Sequence, residues 1–375
     1  MKLLGIEYFK ANESFIDPIK TVLTTLTERD SLFIKCKFDT GLSYYGECVA
    51  FNTSWYEEVT INDVFNSCQV IEDVLIDNYV DIHHIDELHD VLQGIDCHYA
   101  VSMFDMVYVQ ALFDQGLYTL GYESNQSLDY DLKQPSNLNY GITIHSISQF
   151  RSVLEKIKHN QQYKQVSRIK IKYSDQLEEI LNEIQKSFSI YIDSINPIEL
   201  VVDCNGSLNL DDVSSLNSLK NQYNIRYIEQ PFKGFKDERE TLLNYPIGYD
   251  EVLFNMTIEE VIESSKKIKS TDFIVLKIGR LRGFSRAVQC IHRMECNVLF
   301  GGMYEYALSK LFTTLCNRIA FETGDVTPHN YYFNNELFNY EVMLQNVYNG
   351  KLDGNFKFSD ITLQMNQYPF QKLKR

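Results

Sequence analysis

The sequence predicts an α/β protein, a parallel βα barrel joined to a smaller α+β domain, and three observations carry that prediction. From about residue 139 to residue 322, short apolar runs alternate with helix-length amphipathic stretches, the rhythm of repeated βα units. Five of these runs in succession deliver an ionisable residue at their C-terminal ends: Lys172, Asp203, Glu229, Asp250 and Lys277. The first 125 residues lack the rhythm and read instead as strands followed by helices.

In the first part, Lys2–Tyr8 reads as a strand, and Phe9–Arg29 is mixed and polar, with Pro18 breaking any helix. Ser31–Phe38 and Tyr44–Phe51 flank Asp39-Thr40-Gly41 as a hairpin. Val59–Asn78, Asp86–Leu92 and Val101–Gln115 are helix-length, with Gly116 and Gly121 just beyond the last of them. Asn125–Asn137 is polar, contains Pro135 and is the expected linker.

The barrel begins with a strand at Asn139–His145 and a helix at Ile147–Lys158. Arg168-Ile169-Lys170-Ile171-Lys172 alternates cations with branched apolar residues, a strand whose charged face requires acids opposite it. A helix over Gln176–Lys186 follows, then strands at Ile198–Asp203, Ile225–Glu229, Pro246–Asp250 and Asp272–Lys277. Helices near Val213–Asn221, Glu238–Asn244 and Ile258–Lys267 separate them. Phe284–Glu295 is a helix, Asn297–Phe300 a strand and Tyr306–Ile319 a helix leading to a short last strand near Ala320–Glu322. Leu337–Arg375 reads as strands and turns returning to the first domain. The expected domains are therefore 1–125, 126–336 and the returning segment 337–375.

Composition narrows the function. A chain of 375 residues with 44% hydrophobic content buries a large core, and its net charge of −16 argues against nucleic acid or an anionic membrane as partner. The eight cysteines are scattered without a CxxC pair, which indicates neither a zinc knuckle nor a disulfide frame. With no signal-like N-terminus and no long apolar run, the expectation is a soluble cytoplasmic protein.

Functional side chains of a βα barrel converge at the C-terminal ends of its strands. Asp203, Glu229 and Asp250 meeting there would repel one another unless a hard divalent cation joined them, and oxygen donors without His or Cys favour Mg²⁺ or Mn²⁺. Lys172 and Lys277 flank the acids, with Lys170 and Arg280 placed to bias their protonation. A metal with a base on one side and a cation on the other suits proton removal α to a carboxylate. Each residue alone has a plainer reading. A single acid after a strand is commonly a helix cap, Asp203-Cys204-Asn205-Gly206 is a possible Asx turn, and a lysine-rich strand is commonly a solvated edge. The ordered set argues for chemistry, against a barrel that only binds a metal or metabolite.

Ile169-Lys170-Ile171-Lys172, Val202-Asp203-Cys204-Asn205, Ile228-Glu229-Gln230-Pro231, Asp250-Glu251 and Leu276-Lys277-Ile278-Gly279-Arg280 together resemble the enolase superfamily, muconate-lactonizing subgroup. Gly301-Gly302-Met303-Tyr304-Glu305, Gly324-Asp325-Val326-Thr327-Pro328 and Tyr45-Gly46-Glu47-Cys48 extend the resemblance over nearly the whole chain. It implies a (β/α)7β-type modified TIM barrel whose α+β capping domain is built from both termini, with a lid loop at about 19–29. It implies Mg²⁺, or Mn²⁺ in its place, on Asp203, Glu229 and Asp250. Lys172 would be the general acid/base, Lys277 the stabiliser of an enediolate from the opposite face, and Lys170 and Arg280 their support. Asn205, Gly301, Gly302, Met303 and Thr327 would hold a small anionic carboxylate. The implied reaction is syn dehydration of a succinyl-hydroxycyclohexadiene carboxylate in menaquinone biosynthesis, with N-succinylamino-acid racemization as the competing use of the same groups. Val252, Arg282, Tyr304 and Tyr306 depart from the usual pattern and bear on pocket shape.

Overall fold

The computed structural model describes residues 1–20, 24–118, 139–159, 163, 165–191, 198–306, 308–320, 322–334, 357–366 and 370–375. The expected linker at 125–137 and the tip of the expected lid at 21–23 lie outside the described residues, as does much of the returning segment.

The cap is a four-stranded antiparallel sheet with helices on it. β1 (Leu3–Lys20) and β2 (Thr25–Phe38) pair over almost their full length, from Leu3 opposite Phe38 to Lys20 opposite Thr25. The polar stretch 9–29 is therefore mostly strand. Its polar side chains meet across the pair: the Asn12 amide donates to Asp30 at 2.7 Å, and Lys10 pairs with Asp30 at 2.6 Å. β3 (Ser43–Glu47) extends the sheet on one edge, and β11 (Gln371–Leu373) pairs with β1 on the other. α1 (Ile61–Asp77) and α2 (Ile85–Val91) each open on a capping box, from Thr60 with Asp63 and from His84 with Glu87. α3 (His98–Asp114) is buried along nearly its whole length, wedged between the cap sheet and the barrel. Gly46 lets β3 approach it, since a Cβ there would lie 2.4 Å from the Met103 carbonyl oxygen. Asp105 on α3 accepts from the barrel's Ser285 and lies 2.9 Å from His89, so a buried polar cluster fastens cap to barrel.

The barrel is a curled, all-parallel sheet in sequential order: β4 (Tyr140–Ile144), β5 (Val166–Lys172), β6 (Glu199–Asp203), β7 (Ile225–Glu229), β8 (Ile247–Tyr249), β9 (Phe273–Leu276) and β10 (Asn297–Phe300). The intervening helices are α4 (Ile147–His159), α5 (Leu177–Tyr191), α6 (Leu210–Leu219), α7 (Ile258–Ser265) and α8 (Phe284–Arg293), with α9 (Leu308–Ile319) after β10. The stretch expected as a helix at 238–244 is a single 3₁₀ turn, Glu238–Leu242, capped by Asp237 and too near Pro246 to lengthen. The return segment adds α10 (Phe358–Met365), where strands and turns were expected. Among the described residues no helix is long and apolar enough to cross a membrane.

No strand forms near 320–322 among the described residues; closure occurs a few residues later. Asp325 N–H donates to the Phe300 carbonyl at 3.2 Å, and Gly141 N–H donates to the Val326 carbonyl at 3.0 Å. One short irregular run thus bridges the two edge strands and completes the eighth position. Two glycines make this possible. A Cβ on Gly324 would lie 2.1 Å from the Phe300 oxygen, and one on Gly141 would lie 2.1 Å from the Gly324 oxygen. Asn317 on α9 holds the same spot, accepting from Phe300 N–H at 2.8 Å and donating to its carbonyl at 3.0 Å.

Because the obstructing atoms at Gly141 are backbone, Gly141→Ala should cost about 1–3 kcal/mol or more, in the range of overpacked cores. Thermal unfolding of the variant checks this, and an unchanged midpoint would show that the closure tolerates separation.

Candidate active site

The five ionisable residues occupy one end of the barrel because each terminates, or directly follows, its strand. Lys172, Asp203 and Glu229 are the last residues of β5, β6 and β7, while Asp250 and Lys277 follow β8 and β9. Pairing registers set Lys172 beside Asp203 and Asp203 beside Glu229. Gln230 trims the end of β8: its side-chain oxygen accepts from Asp250 N–H at 3.1 Å and from Val252 N–H at 3.3 Å.

The cationic face of β5 meets its acids inside the barrel. Fully buried Arg168 pairs with Asp325 and donates to the Tyr227 hydroxyl. Lys170 reaches Glu229 at 2.8 Å, Asp325 at 2.5 Å and Asp203 at 3.6 Å. Lys172 donates to Asp203 at 2.6 Å and to the Asn205 side-chain oxygen at 2.9 Å. Asn205 stands at φ +44° and donates onward to Glu251 at 2.6 Å. Its own N–H donates to Asp203 at 3.2 Å, so the segment makes the Asx turn as well as presenting its side chains. Across the mouth, Lys277 donates to Asp250 at 2.9 Å. Arg280 donates to the other oxygen of Asp250 at 3.0 Å and, through Nε, to Glu57 of the cap at 2.7 Å, with its guanidinium 3.5 Å over the Phe254 ring.

Burial would raise every carboxyl here, and the partners decide the outcome. Lys172 and Lys170 outweigh burial and hold Asp203 below its ordinary range; Lys277 and Arg280 do the same for Asp250. Glu229 goes the other way. Its burial, with Asp203, Asp325 and Asp250 nearby, outweighs Lys170 and pushes it up to about 7. Glu251 likewise is pushed up to about 7, by burial and then by Asp250. For Lys172, burial works toward the neutral amine, but the Asp203 carboxylate wins and raises it, with Lys170 opposing.

A hard divalent cation fits this set by donor type, since Asp203, Glu229 and Asp250 offer oxygen alone at the ends of successive strands. They are not gathered into a ready cage. Each faces a lysine or arginine, and among the described residues no three His, Cys, Asp or Glu side chains are arranged to hold an ion.

A cavity of about 210 Å³ opens over these groups. Lys170, Lys172, Asp203, Asn205, Asp250 and Lys277 line its polar side, and Gly302 and Met303 border it. Thr143, Glu251 and Asp325 also reach it, and its other walls are aromatic: Phe51, Trp55 and Tyr56 from the cap face Phe254, Tyr304 and Tyr332 from the barrel. The β1–β2 hairpin closes in behind, since Ile16 N–H donates to the Tyr332 carbonyl at 2.8 Å and the Phe15 ring stands edge-on to Tyr304 and Tyr332. Glu229, Arg280, Gly301 and Thr327 do not line the cavity. Gly301 makes room for the lysine, since a Cβ there would lie 2.1 Å from Lys277 Nζ. Thr327 is buried beyond Asp325. Of the departures from pattern, Tyr304 is on the cavity wall, whereas Tyr306 is buried with its ring edge-on to Phe333. Arg282, at φ +63°, ties the barrel to the cap by donating to the Leu92 and Ile95 carbonyls.

Sequence reasoning assigned no role to Asp325, Glu251 or Gln230. Asp325 sits in an irregular closing run with no strand periodicity to mark it, although its Gly-Asp motif was visible. Glu251 and Gln230 were hidden beside the acids they accompany.

The fold and this mouth define the class: the chain has the architecture of the enolase superfamily, a modified TIM barrel with a cap. It superposes on an enolase-superfamily protein from Listeria innocua with a TM-score of 0.70 at 21% identity, over 90% of this chain and 88% of that one. A dipeptide epimerase from Enterococcus faecalis, solved with Mg and the dipeptide L-Leu-L-Tyr, matches with a TM-score of 0.68 at 18% identity, over 87% and 90% of the two chains. In sequence the chain is similar to the o-succinylbenzoate synthase of Geobacillus stearothermophilus, 25% identical over 343 residues that cover 87% of this chain and 84% of that protein. No family model matches the chain.

Behind Lys277, buried Glu305 is pushed up to about 7 by burial, against help from backbone N–H donors. The folded chain thus keeps this proton to higher pH than the unfolded chain, where the ordinary value is 4.5. The resulting stabilisation is complete below that value and is lost as pH rises through about 7. Glu305→Gln should therefore gain on wild type by up to about 3 kcal/mol at pH 8 relative to pH 4, read by denaturant unfolding at both pH values. A pH-independent difference would place the raised carboxyl elsewhere.

Proposed function

We propose that this chain is an o-succinylbenzoate synthase, a Mg²⁺-dependent cytoplasmic lyase that dehydrates 2-succinyl-6-hydroxy-2,4-cyclohexadiene-1-carboxylate in menaquinone biosynthesis. The observation carrying the proposal is the opposition of two lysines. Lys172 and Lys277 end strand positions separated by the acid-bearing β6, β7 and β8, half-way round an eight-position barrel, and both line the same 210 Å³ cavity. A substrate carbon between them is reached from both faces. In this reading 126–336 is the catalytic barrel, and 1–125 with 337–375 is the cap, whose hairpin at about 19–29 serves as the lid.

Lys172, as the neutral amine, takes the proton α to the carboxylate. Its ammonium form then protonates the hydroxyl leaving from the same face, which makes the elimination syn and returns the amine. Lys277, as ammonium on the opposite face, stabilises the charge that develops on the carboxylate oxygens. Asp203, Glu229 and Asp250 would hold Mg²⁺, or Mn²⁺ in its place, and the bound ion would supply Lewis-acid polarisation of the substrate carboxylate. Asp203 would be shared between Lys172 and a bound ion, and its weaker hold would lessen the main influence keeping the amine protonated. Asn205 holds Lys172 in place through its side-chain oxygen, and the Gly302-Met303 backbone borders the substrate. The aromatic walls limit water around the reacting carbon.

The same lysine pair also suits racemization of N-succinylamino acids, where each lysine serves one enantiomer. The two reactions separate in D₂O, with product followed by absorbance and α-deuterium by NMR. The expected outcome is rapid o-succinylbenzoate formation and weak exchange in N-succinylamino acids; rapid exchange in both enantiomers with poor dehydration would favour the racemase.

Lys172→Ala should abolish dehydration, a loss of at least about 10²–10⁴-fold for removal of a general acid/base. Glu229→Gln should remove both turnover and the thermal stabilisation that added Mg²⁺ gives wild type. Undiminished turnover after chelation would reject the metal assignment.

A further inference from the structure

A second cleft opens beside the reaction cavity. It encloses about 510 Å³, and Lys172, Asp203 and Asn205 border both it and the first cavity, so the two spaces adjoin at the lysine proposed as the base. Their linings differ. The first is walled by aromatic rings, while the second carries hydroxyls, among them Ser146, Ser148, Ser174 and Ser207, with Asp17 and Pro18 of the cap hairpin on its border. Ser148 is exposed in the first turn of α4, with its hydroxyl 3.0 Å from that of Ser146.

His145 follows β4 and lines this cleft, and both its ring nitrogens are buried without a hydrogen-bond partner. Buried polar groups are rarely left so, and each such case calls for an explanation. Burial first, and then the charge of Lys172, lower the imidazole to about 4. It is therefore neutral at ordinary pH, with one donor and one acceptor to offer. The charged groups that act on it are Lys172 and Lys170, which oppose a charged imidazole, and Asp203, which favours one; Asp17 lines the same cleft. The lysines disfavour an ammonium group on the ligand, while hydroxyls and a neutral imidazole provide donors for ketone and carboxylate oxygens. Asp203 is already engaged by Lys172 at 2.6 Å, so Asp17 is the acid whose charge an anionic arm would feel.

We infer that this second cleft receives the polar oxo-acid arm of the substrate, with His145 and the serines as its hydrogen-bonding partners, while the ring carbon that reacts stays in the aromatic cavity between the lysines. The inference rests on the proposed function and gives it a selectivity element: the arm is read by β4, α4 and the hairpin, apart from the acids and lysines of the chemistry.

The test compares binding of o-succinylbenzoate and benzoate, which lacks the arm, to the Mg²⁺-supplemented full-length protein by calorimetry. Wild type should prefer o-succinylbenzoate by at least about tenfold. His145→Leu, which removes the imidazole, and Ser148→Leu, which crowds the cleft from an exposed position, should each erase about tenfold of that preference while benzoate binding stays within about twofold. Asp17→Asn should increase the preference. Equal binding of both ligands by wild type overturns the inference, as does a folded Ser148→Leu with unchanged preference or a loss confined to benzoate. The comparison needs no turnover, so absent dehydration with intact arm discrimination counts against the proposed reaction and not against the cleft.

Discussion

The constraint that organises this molecule is the crowding of carboxylates at one end of the barrel. Asp203, Glu229, Asp250 and Asp325 are all buried around the same axis, where charge repulsion is weakly screened. The chain answers with a matched set of buried cations. Arg168 takes Asp325, Lys170 bridges Asp325 and Glu229, Lys172 takes Asp203, and Lys277 and Arg280 share Asp250. Glu229 stays raised, chiefly by its burial, with Asp203, Asp325 and Asp250 adding to it over the opposing Lys170. Buried ion pairs of this kind seldom add stability over an apolar core. Their retention makes sense as machinery.

The same crowding explains the closure of the barrel. A regular eighth strand would offer alternating side chains, whereas the run at 324–326 offers backbone to both edges and one acid to the interior. Gly324 and Gly141 let the backbones meet, and Asp325 then stands between Arg168 and Lys170, the two cations deepest in the barrel. Closure and charge balance are therefore achieved by the same few residues.

Much of this was legible in the sequence. The βα rhythm identified seven strands because buried parallel strands are short apolar runs with clear stops, and Ile225–Glu229 and Asn297–Phe300 fall where the pattern puts them. The charged face of 168–172 also implied facing acids, since lysines and an arginine in a buried strand have few other partners. What was not legible depends on the third dimension. The described parts of the polar stretch 9–29 are mostly strand, with Asp30 across the pair meeting Lys10 and Asn12, a contact no local pattern contains. The closing run has no periodicity and was placed a few residues early. The aromatic walls draw on residues from Phe51 to Tyr332, whose meeting depends on the cap lying over the barrel.

That meeting also couples recognition to the acids. Glu57, from the cap segment that supplies Phe51, Trp55 and Tyr56, accepts from Arg280, and Arg280 donates to Asp250. Tyr99 on α3 donates to the same Glu57 at 2.7 Å, anchoring the segment to the central helix. The Arg280 guanidinium meanwhile stacks on Phe254, part of the cavity wall from the barrel side. One guanidinium therefore contacts the cap, the aromatic wall and an acid of the site. Moving the cap segment away would take Glu57 from Arg280 and leave that cation to Asp250 alone, tightening its hold on a carboxylate proposed to hold the metal. In this arrangement a docked cap does more than exclude water: by sharing Arg280 it loosens that cation's hold on Asp250 and leaves the carboxylate freer for the ion it is proposed to hold.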